Sequence, residues 1–219
     1  MNSENIPYIT IQALHRLPYY LQYLRAAKKN DIKYISASVM ASDLNLNEVQ
    51  VRKDISAVCT TKGKPKIGFI VDELIDNIED YLGYNNSMEA VLVGAGNRGK
   101  FLLADNKFEK YGLNIAAAFD IDESIVGSTI CSKQVFHLGK LKNLCERMHI
   151  HIGIIAVPEE AAQNVCDLLV SCGISSIWNF ALIKLSVPGN VFVQNENLSA
   201  SLSAFSQHIR KNNVTSKIL

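Results

Sequence analysis

A glycine-rich segment constrains the fold of this chain more than any other feature. The apolar run 90–93 leads into residues 94–99, whose sequence is Gly-Ala-Gly-Asn-Arg-Gly, and a second apolar run, 115–119, ends at Asp120. In a strand–turn–helix–strand unit, the first glycine permits a tight turn, the second lets a pyrophosphate approach the backbone, and the third lets the helix pack closely on the strand. The segment therefore predicts a dinucleotide-binding unit; a flavodoxin-like turn without a ligand is the alternative.

The predicted dinucleotide site draws its residues from the carboxyl ends of several strands. The pyrophosphate would lie at the helix N-terminus after the glycine turn, although Arg98 there could instead be merely solvent-exposed. Asp120 would bind the adenosine ribose, and because it would repel a 2′-phosphate, it favours NAD(H) over NADP(H). Residues 156–158 would line the nicotinamide side, unless they are only a buried strand end. The expected contacts are Gly94, Ala95, Gly96, Asn97, Arg98, Gly99, Asp120, Ile121, Ala156, Val157 and Pro158.

From Met88 onward, apolar runs alternate with segments of helical periodicity. Strands are predicted near residues 89–93, 115–119, 152–157, 175–180 and 191–194, and helices near 97–111, 138–147 and 159–172. Alternation of this kind is typical of an α/β fold with a doubly wound, mostly parallel sheet. This part of the chain is therefore expected to be a Rossmann-like domain.

The first 70 residues are helical and basic. They carry ten Lys and Arg against five Asp and Glu, whereas the whole chain has a net charge of +1. Such an uneven charge suggests that this third of the chain binds a polyanion. Leu14, Leu17, Leu21 and Leu24 have the spacing of one helix face, which predicts a first amphipathic helix.

A helix-turn-helix followed by a basic hairpin is predicted next. Its first helix covers residues 36–44, and its second runs to about Val58, with Asn47 as N-cap and Gln50 as the reciprocal capping partner. The hairpin over 62–69 would then be the wing of a winged-helix domain. The arrangement favours binding to double-stranded DNA.

The second helix of this motif has a surface suited to the major groove. Val51, Ile55 and Val58 share one face and should pack on the core. On the opposite side, Arg and Lys can bind guanine or phosphate and Gln can pair with adenine, while lysines of the wing would bind phosphates. A solvated charged face is the alternative. The expected DNA contacts are Gln50, Arg52, Lys53, Ser56, Lys62, Lys64 and Lys66.

Three structural parts are therefore expected. A winged-helix domain would cover residues 1–84, including a linking helix over 72–81, and a Rossmann NAD(H)-binding domain would cover residues 85–196. Residues 197–219 would hold a last helix and tail. The apolar stripe of that helix consists of Leu198, Leu202, Phe205 and Ile209. The stripe could pack on its own domain or form a dimer interface.

Composition is that of an ordinary soluble protein, with 48% hydrophobic and 20% charged residues. The five cysteines lack the spacing of a zinc site, so free thiols in a reducing compartment and no metal are expected. No signal peptide is evident, and no apolar run approaches the roughly 18 residues of a membrane span. A cytoplasmic protein without membrane contact is therefore expected.

Six segments of the chain share their order and motifs with one known family. They are residues 15–20 (His-Arg-Leu-Pro-Tyr-Tyr), 51–56 (Val-Arg-Lys-Asp-Ile-Ser), 94–99, 117–122 (Ala-Ala-Phe-Asp-Ile-Asp), 154–158 (Ile-Ile-Ala-Val-Pro) and 179–181 (Asn-Phe-Ala). Together they resemble the Rex family of redox-sensing transcriptional repressors over about residues 5–208. The resemblance implies a homodimer with a swapped last helix. It also implies a palindromic operator that is released when NADH replaces NAD⁺.

Two positions depart from that family's pattern. The resemblance implies a nucleotide-dependent switch made by an arginine of the first helix, a tyrosine after the glycine motif and an aspartate at the start of the last helix. This chain has Arg16 at the first position but Asp105 and Asn197 at the other two. One hypothesis is that Arg16 pairs with Asp105; another is that the response to NADH is altered.

The leading functional prediction is a DNA-binding repressor that senses the NADH/NAD⁺ ratio. An NADH-insensitive paralogue that uses the Rossmann domain as a dimer scaffold is the alternative. An NAD-dependent oxidoreductase is remote, because the candidate bases His149 and His151 precede a strand, whereas ligands bind at the carboxyl ends. The third candidate, His137, has no evident partner. No catalytic residue is therefore assigned.

Overall fold

The computed structural model describes residues 9–59, 63–64, 67–105 and 107–215. The chain divides into two compact units, Met1–Asn86 and Ser87–Leu219. The elements of the first unit are α1 (Ile11–Lys29), β1 (Tyr34–Ile35), α2 (Ala37–Asp43), α3 (Glu48–Val58), β2 (Phe69–Ile70) and α4 (Val71–Leu82).

Side-chain caps fix where the first three helices begin. Thr10, Ser36 and Asn47 each accept a hydrogen bond from the backbone N–H three residues further on. Each cap satisfies one of the N–H groups that a helix start leaves unpaired. The predicted cap at Asn47 is confirmed. Gln50, predicted as its reciprocal partner, instead has its side chain beside Arg16.

The helices of the first unit enclose one apolar core. Three of the four predicted leucines, Leu17, Leu21 and Leu24, are buried, whereas Leu14 is 36% exposed. At 100° per residue, Leu14 lies at the margin of the stripe, which explains its exposure. The core is completed by residues from α2, α3 and α4, including Met40, Val51, Ile55, Leu74 and Ile78.

A small antiparallel sheet and a tight turn form the hairpin region. In β1 and β2, Tyr34 lies opposite Ile70. The turn is closed by two backbone hydrogen bonds between Lys64 and Gly68, of 2.8 and 2.9 Å. Gly68 has φ +90°, and a Cβ there would lie 2.3 Å from the Ile35 carbonyl oxygen, so only glycine fits. The predicted wing residues Lys62 and Lys66 lie outside the described residues.

The described part of the second unit is built on one seven-stranded sheet. Its elements are β3 (Met88–Val93), α5 (Asn97–Ala104), α6 (Lys107–Lys110), β4 (Leu113–Asp120), β5 (Thr129–Ile130), β6 (Lys133–His137), a 3₁₀ turn (Leu138–Lys140), α7 (Leu141–Met148), β7 (Ile152–Ile155), α8 (Glu159–Ser171), β8 (Ser176–Asn179), β9 (Phe192–Asn195) and α9 (Leu198–Thr215). The strand order is β5-β6-β4-β3-β7-β8-β9. All neighbouring pairs are parallel except β5 with β6. This is the doubly wound dinucleotide-binding order with one added antiparallel strand.

The strands of this sheet bury both faces. Because side chains alternate along a strand, Val91 and Val93 of β3 join a core with residues of α7 and α8. Ala90 and Leu92 join the opposite core with residues of α5. Burial on both faces explains why β3 appears in the sequence as a continuous apolar run.

The sequence prediction was wrong at two places in this unit. The hairpin β5–β6 was not predicted, because β6 has only five residues and three of them are Lys133, Gln134 and His137. The helix predicted over 97–111 is divided into α5 and α6, because Asp105 has extended backbone angles (φ −86°, ψ 91°). Asp105 Oδ1 then accepts a hydrogen bond from the Lys107 N–H at 3.0 Å, where the next helix begins.

The last helix, α9, begins after Asn197, whose Oδ1 accepts a hydrogen bond from the Ala200 N–H at 3.0 Å. Leu202, Phe205 and Ile209 of this helix are 65%, 67% and 58% exposed. Within the described ranges, no helix combines the length and apolar character needed to cross a membrane.

Candidate functional sites

A crevice is expected where the sheet reverses its winding. From β3 the chain continues to β4 on one side, whereas β7, on the other side of β3, continues to β8. Ligands of open α/β sheets bind at such a switch point, outside the carboxyl ends of the strands. The glycine segment 94–99 follows β3 directly, and residues 156–158 follow β7, so both predicted groups lie at this edge.

Two glycines of the motif are required by the packing of the protein itself. Gly94 has φ +99°, and a Cβ there would lie 2.8 Å from the Ala156 carbonyl carbon. A Cβ on Gly99 would lie 1.9 Å from the Gly94 carbonyl oxygen. The turn at Gly94 thus packs directly against Ala156, which follows β7. The start of α5, at Gly99, packs directly against the turn.

Gly96 differs from its two neighbours in the motif. Its φ is −68°, which any residue can adopt, and a Cβ there would meet nothing within 4 Å. Neither backbone conformation nor protein packing therefore explains the glycine. A glycine at this position is what the close approach of a pyrophosphate to the backbone would require.

The start of α5 is suited to an anion. Its N-cap position is Gly96, which offers no side-chain cap, so the N–H groups of the first turn remain available to a ligand. Asn97 is exposed. Arg98 is also exposed, but its Nη1 donates to the Phe180 carbonyl oxygen at 2.8 Å. The guanidinium thus bridges α5 and the segment after β8.

Asp120 is held by backbone groups at the end of β4. Its Oδ2 accepts from the Ala95 N–H at 2.6 Å, and its Oδ1 accepts from the Ile121 and Asp122 N–H groups at 2.7 and 3.0 Å. The carboxylate therefore ties the second strand to the glycine turn. A carboxylate offers about four acceptor positions, so these three bonds leave capacity for a hydroxyl. Ile121 is 70% exposed beside it.

The third predicted group lies after a strand rather than in it. The strand predicted over 152–157 ends at Ile155. The Ala156 N–H donates to the Val93 carbonyl at 2.8 Å, and Ala156 is buried. Val157 is half-buried, and Pro158 is the residue before α8. These residues join β7 to α8 at the same edge as the glycine turn.

The predicted DNA-binding helix, α3, has the two faces that its periodicity indicates. Val51, Ile55 and Val58 are buried. The outward residues Gln50, Arg52, Lys53 and Ser56 are exposed. Arg52 forms an ion pair with Glu48, one turn earlier on the same helix. Because both partners are exposed, this pair contributes little and leaves Arg52 free to exchange Glu48 for another anion.

A polar cluster between α1 and α3 was not predicted from the sequence. Arg16 Nε and Nη2 donate to Asp54 Oδ2 and Oδ1 at 2.8 and 3.0 Å, and the Tyr20 hydroxyl donates to Asp54 Oδ2 at 2.8 Å. The Asp54 side chain is only 8% exposed and that of Arg16 18%. The available signal was Asp54 itself, an acid on the same helix face as the buried Val51 and Val58.

Within its own unit this cluster gives Arg16 the partner Asp54, and the hypothesis that Arg16 pairs with Asp105 stays a prediction. The bidentate partner of Arg16 is Asp54, and bonding to that carboxylate raises the pKa of the guanidinium. Asp105 begins the turn into α6, and Asn197 caps α9. All three residues thus have local structural roles.

The fold and sites together define a class of protein: a winged helix-turn-helix unit followed by a dinucleotide-type Rossmann unit. A family model described as a putative DNA-binding protein N-terminus matches residues 5–56, and one described as a CoA binding domain matches residues 85–183. The redox-sensing transcriptional repressor Rex of Bacteroides fragilis is 35% identical over 97% of this chain and 95% of its own length. That of Treponema denticola is 39% identical over 91% and 94%.

Solved structures with the same fold also come from the Rex family. One described as RSP in complex with β-NAD⁺ and operator DNA matches with a TM-score of 0.89 and 32% identity, covering 96% of this chain and 97% of that one. RSP with β-NADH matches with a TM-score of 0.83 at the same identity, covering 96% and 99%. The chain belongs to the Rex family of redox-sensing transcriptional repressors. The predicted fold class is confirmed, and the oxidoreductase alternative is set aside because the relatives are repressors.

Proposed function

We propose that this protein is a cytoplasmic transcriptional repressor that binds a palindromic operator as a homodimer and releases it when NADH replaces NAD⁺. The observation that carries the nucleotide part is Gly96, a glycine that the protein's own packing does not require, at the uncapped start of α5. The names of the relatives and the ligands of RSP support the same function.

In the nucleotide site, each group of residues would have a distinct task. The N–H groups from Gly94 to Gly99 would bind the pyrophosphate, with Arg98 adding charge if it leaves Phe180. Asp120 and Ile121 would bind the adenosine ribose. Residues 156–158 would line the nicotinamide side. NAD(H) supplies the redox signal when bound, and the protein supplies only binding and orientation.

In the DNA site, α3 would enter the major groove. Its exposed side chains Gln50, Arg52, Lys53 and Ser56 would contact bases or nearby phosphates. Lys64 in the turn, which is exposed, would contact a phosphate, as would the wing residues Lys62 and Lys66. A two-fold dimer would present two copies of α3 to two half-sites.

The dimer would form through α9. A single chain leaves Leu202, Phe205 and Ile209 more than half exposed on one face of this helix. Exposed apolar stripes of this kind commonly mark interaction sites. We propose that α9 packs on the partner's Rossmann unit, in the swapped arrangement that the family resemblance implies.

A second candidate is a Rex-family DNA-binding protein that does not respond to NADH. The observation that favours it is the structural use of Asp105 and Asn197, which form local caps where the family resemblance implies a switch tyrosine and aspartate. This chain would then bind its operator while the Rossmann unit serves as a dimer scaffold.

The decisive experiment is operator binding by fluorescence anisotropy at fixed salt, titrated with NADH and separately with NAD⁺. Release by NADH at a much lower concentration than by NAD⁺ supports the redox-sensing repressor. Tight binding that neither nucleotide changes supports the second candidate. No preference for any sequence over random DNA would reject both.

The wing makes a separate prediction about salt. Lys64→Ala should weaken binding to all DNA and reduce the slope of log K against log salt by about 1, because one phosphate contact is lost. Lys140→Ala, in the other unit, is the matched control. An unchanged slope for Lys64→Ala would exclude Lys64 from the phosphate contacts.

A further inference from the structure

The guanidinium of Arg16 holds two side chains of α3 at once. Its Nε and Nη2 donate to the Asp54 carboxylate, as described above. The Gln50 amide lies on the other side of the guanidinium, with its facing atom 3.1 Å from Nη1 and 2.9 Å from Nη2. Arg16, Gln50, Lys53 and Asp54 line one groove of about 490 Å³ between α1 and α3.

The chemistry of arginine decides which end of the amide faces it. A guanidinium has five N–H donors and no acceptor, so the facing atom must be the Gln50 Oε1. Two N–H groups then occupy the lone pairs of that oxygen. Turning the amide around would lose both bonds and bring N–H donors against N–H donors. The Nε2 amino group is therefore the only part of the amide left for a ligand.

Arg16 is itself fixed, so this orientation is set before DNA arrives. The bidentate bond to Asp54 fixes the plane of the guanidinium, and Tyr20 donates to the same carboxylate from the buried core. Gln50, in contrast, is exposed. Its amide lies against Arg16 at the groove between the two helices, so Arg16 fixes the orientation of a side chain that a ligand can reach.

We infer that Gln50 recognises guanine in the major groove, and that Arg16 is the positioning residue that sets this preference. The inference rests on the proposed function. A free glutamine amide pairs with adenine by accepting from N6 and donating to N7. Here the acceptor is occupied, and only the two amino hydrogens remain. Guanine alone presents two adjacent acceptors, N7 and O6, to such a donor.

The first test uses the full-length protein and an operator that it selects from a random palindromic pool. Each base pair of the half-site is then changed singly, for the wild type and for Gln50→Ala. We expect one symmetric position where the wild type prefers guanine over adenine by about tenfold and Gln50→Ala shows little preference. Replacing that guanine by 7-deazaguanine, which lacks the N7 acceptor, should weaken the wild type but not Gln50→Ala.

The second test separates Arg16 from Gln50. Arg16→Lys retains a positive charge beside Asp54 but cannot hold the amide oxygen with two N–H groups, so the guanine preference should fall to about twofold. Arg25→Lys is the matched control, because Arg25 on the same helix pairs with Glu79 rather than with α3. It should retain the tenfold preference.

If Arg16→Lys does not fold, Gln50→Glu keeps the inference testable, because Gln50 is exposed. Its carboxylate can still accept from Arg16 but has no donor for guanine, so the preference should move to cytosine, whose N4 group is a donor. The inference would be overturned if the wild type preferred adenine at the base pair that depends on Gln50. It would also be overturned if Gln50→Glu, or a folded Arg16→Lys, kept the preference for guanine. The proposed function would survive these outcomes. Failure to select any sequence would overturn the proposed function as well.

Discussion

At the scale of single residues, the cluster of Arg16, Tyr20 and Asp54 carries the most consequence. Asp54 is a nearly buried acid, and removing either partner would leave its charge poorly compensated. Breaking a buried ion pair by removing one partner typically costs about 3–5 kcal/mol. The cluster thus anchors α3 to α1, and the exposed side chains of α3 depend on it for their position.

Tyr20→Phe tests this anchor with minimal change in shape. Loss of a hydrogen bond to a charged group should lower the free energy of unfolding by about 2 kcal/mol. Urea unfolding at neutral pH measures it. Tyr19→Phe is the matched control, since Tyr19 is 64% exposed, and it should leave the stability unchanged. Equal stability of Tyr20→Phe and wild type would show that the hydroxyl contributes nothing.

The same tyrosine predicts a pH dependence. Burial and the hydrogen bond to Asp54 raise the pKa of Tyr20 from its ordinary value of 10.0 to about 12. As the pH rises, the unfolded chain therefore loses this proton before the folded protein does. The contribution of the Tyr20 hydroxyl to the free energy of unfolding is complete below pH 10 and declines as the pH rises toward about 12. In Tyr20→Phe that part of the alkaline decline should be absent. An identical decline in both proteins would contradict the assignment.

The cysteines should differ in reactivity because they differ in burial. Burial raises the pKa of the Cys59 thiol to about 12 and that of Cys145 to about 11, and it also raises those of Cys166 and Cys172. Only Cys131, at the β5–β6 turn, is exposed. Since the thiolate is the reactive form, an aromatic disulfide reagent at pH 8 should modify one thiol rapidly. Cys131→Ser should remove that rapid phase and Cys59→Ser should not.

At the scale of elements, the glycine turn holds two glycines that the packing of the protein requires and one that it does not. Gly94 and Gly99 are required by contacts with β7 and within the turn, whereas Gly96 faces open space. The motif spacing predicted the strand, the turn and the start of the helix correctly, but not the end of the helix at Ala104. It could not show which of these glycines the fold requires, because that depends on what lies opposite each Cα.

Gly96→Ala and Gly99→Ala form a matched pair. Gly99→Ala should destabilise the Rossmann unit, because its Cβ would overlap the Gly94 carbonyl. Gly96→Ala should leave the melting temperature nearly unchanged but weaken NADH binding by about tenfold or more, because the methyl group blocks the pyrophosphate. Differential scanning fluorimetry and titration calorimetry measure the two effects. Unaltered NADH affinity in Gly96→Ala would contradict the proposed site.

The prediction of each element depended on how strong its sequence pattern is. Helices α1 to α4 and strands β3, β4 and β7 carry clear periodicity or apolar runs. β6 has only five residues, and three of them are polar. Its place beside β4 is fixed by pairing with residues 118–120, which sequence periodicity does not contain.

At the scale of the whole molecule, the outward stripe of α9 predicts the oligomeric state. The double variant Leu202→Ser, Phe205→Ser should be a monomer, because two large apolar side chains would be lost from the dimer interface. Light scattering measures the change in mass. Operator affinity should fall with it, since the two half-sites would no longer be bound together. Gln207→Ala, on another side of α9, should remain dimeric. A monomeric wild type, or a dimer that survives both serines, would reject α9 as the interface.

The class of fold, the family and the positions of most elements could be predicted from the sequence alone. Each of these depends on patterns within a few turns or strands: glycine spacing, the periodicity of apolar residues, and polar caps such as Asn47. Physical chemistry relates such local patterns directly to local structure.

The partners of the charged and polar side chains, in contrast, depend on how distant elements pack together. Asp54 meets Arg16 and Tyr20, Arg98 meets the Phe180 carbonyl, and Asp120 meets the Ala95 N–H. These residues are 25 to 82 positions apart in the chain. Their pairing depends on how whole elements pack, and a single long side chain can reach several candidates until that packing selects one.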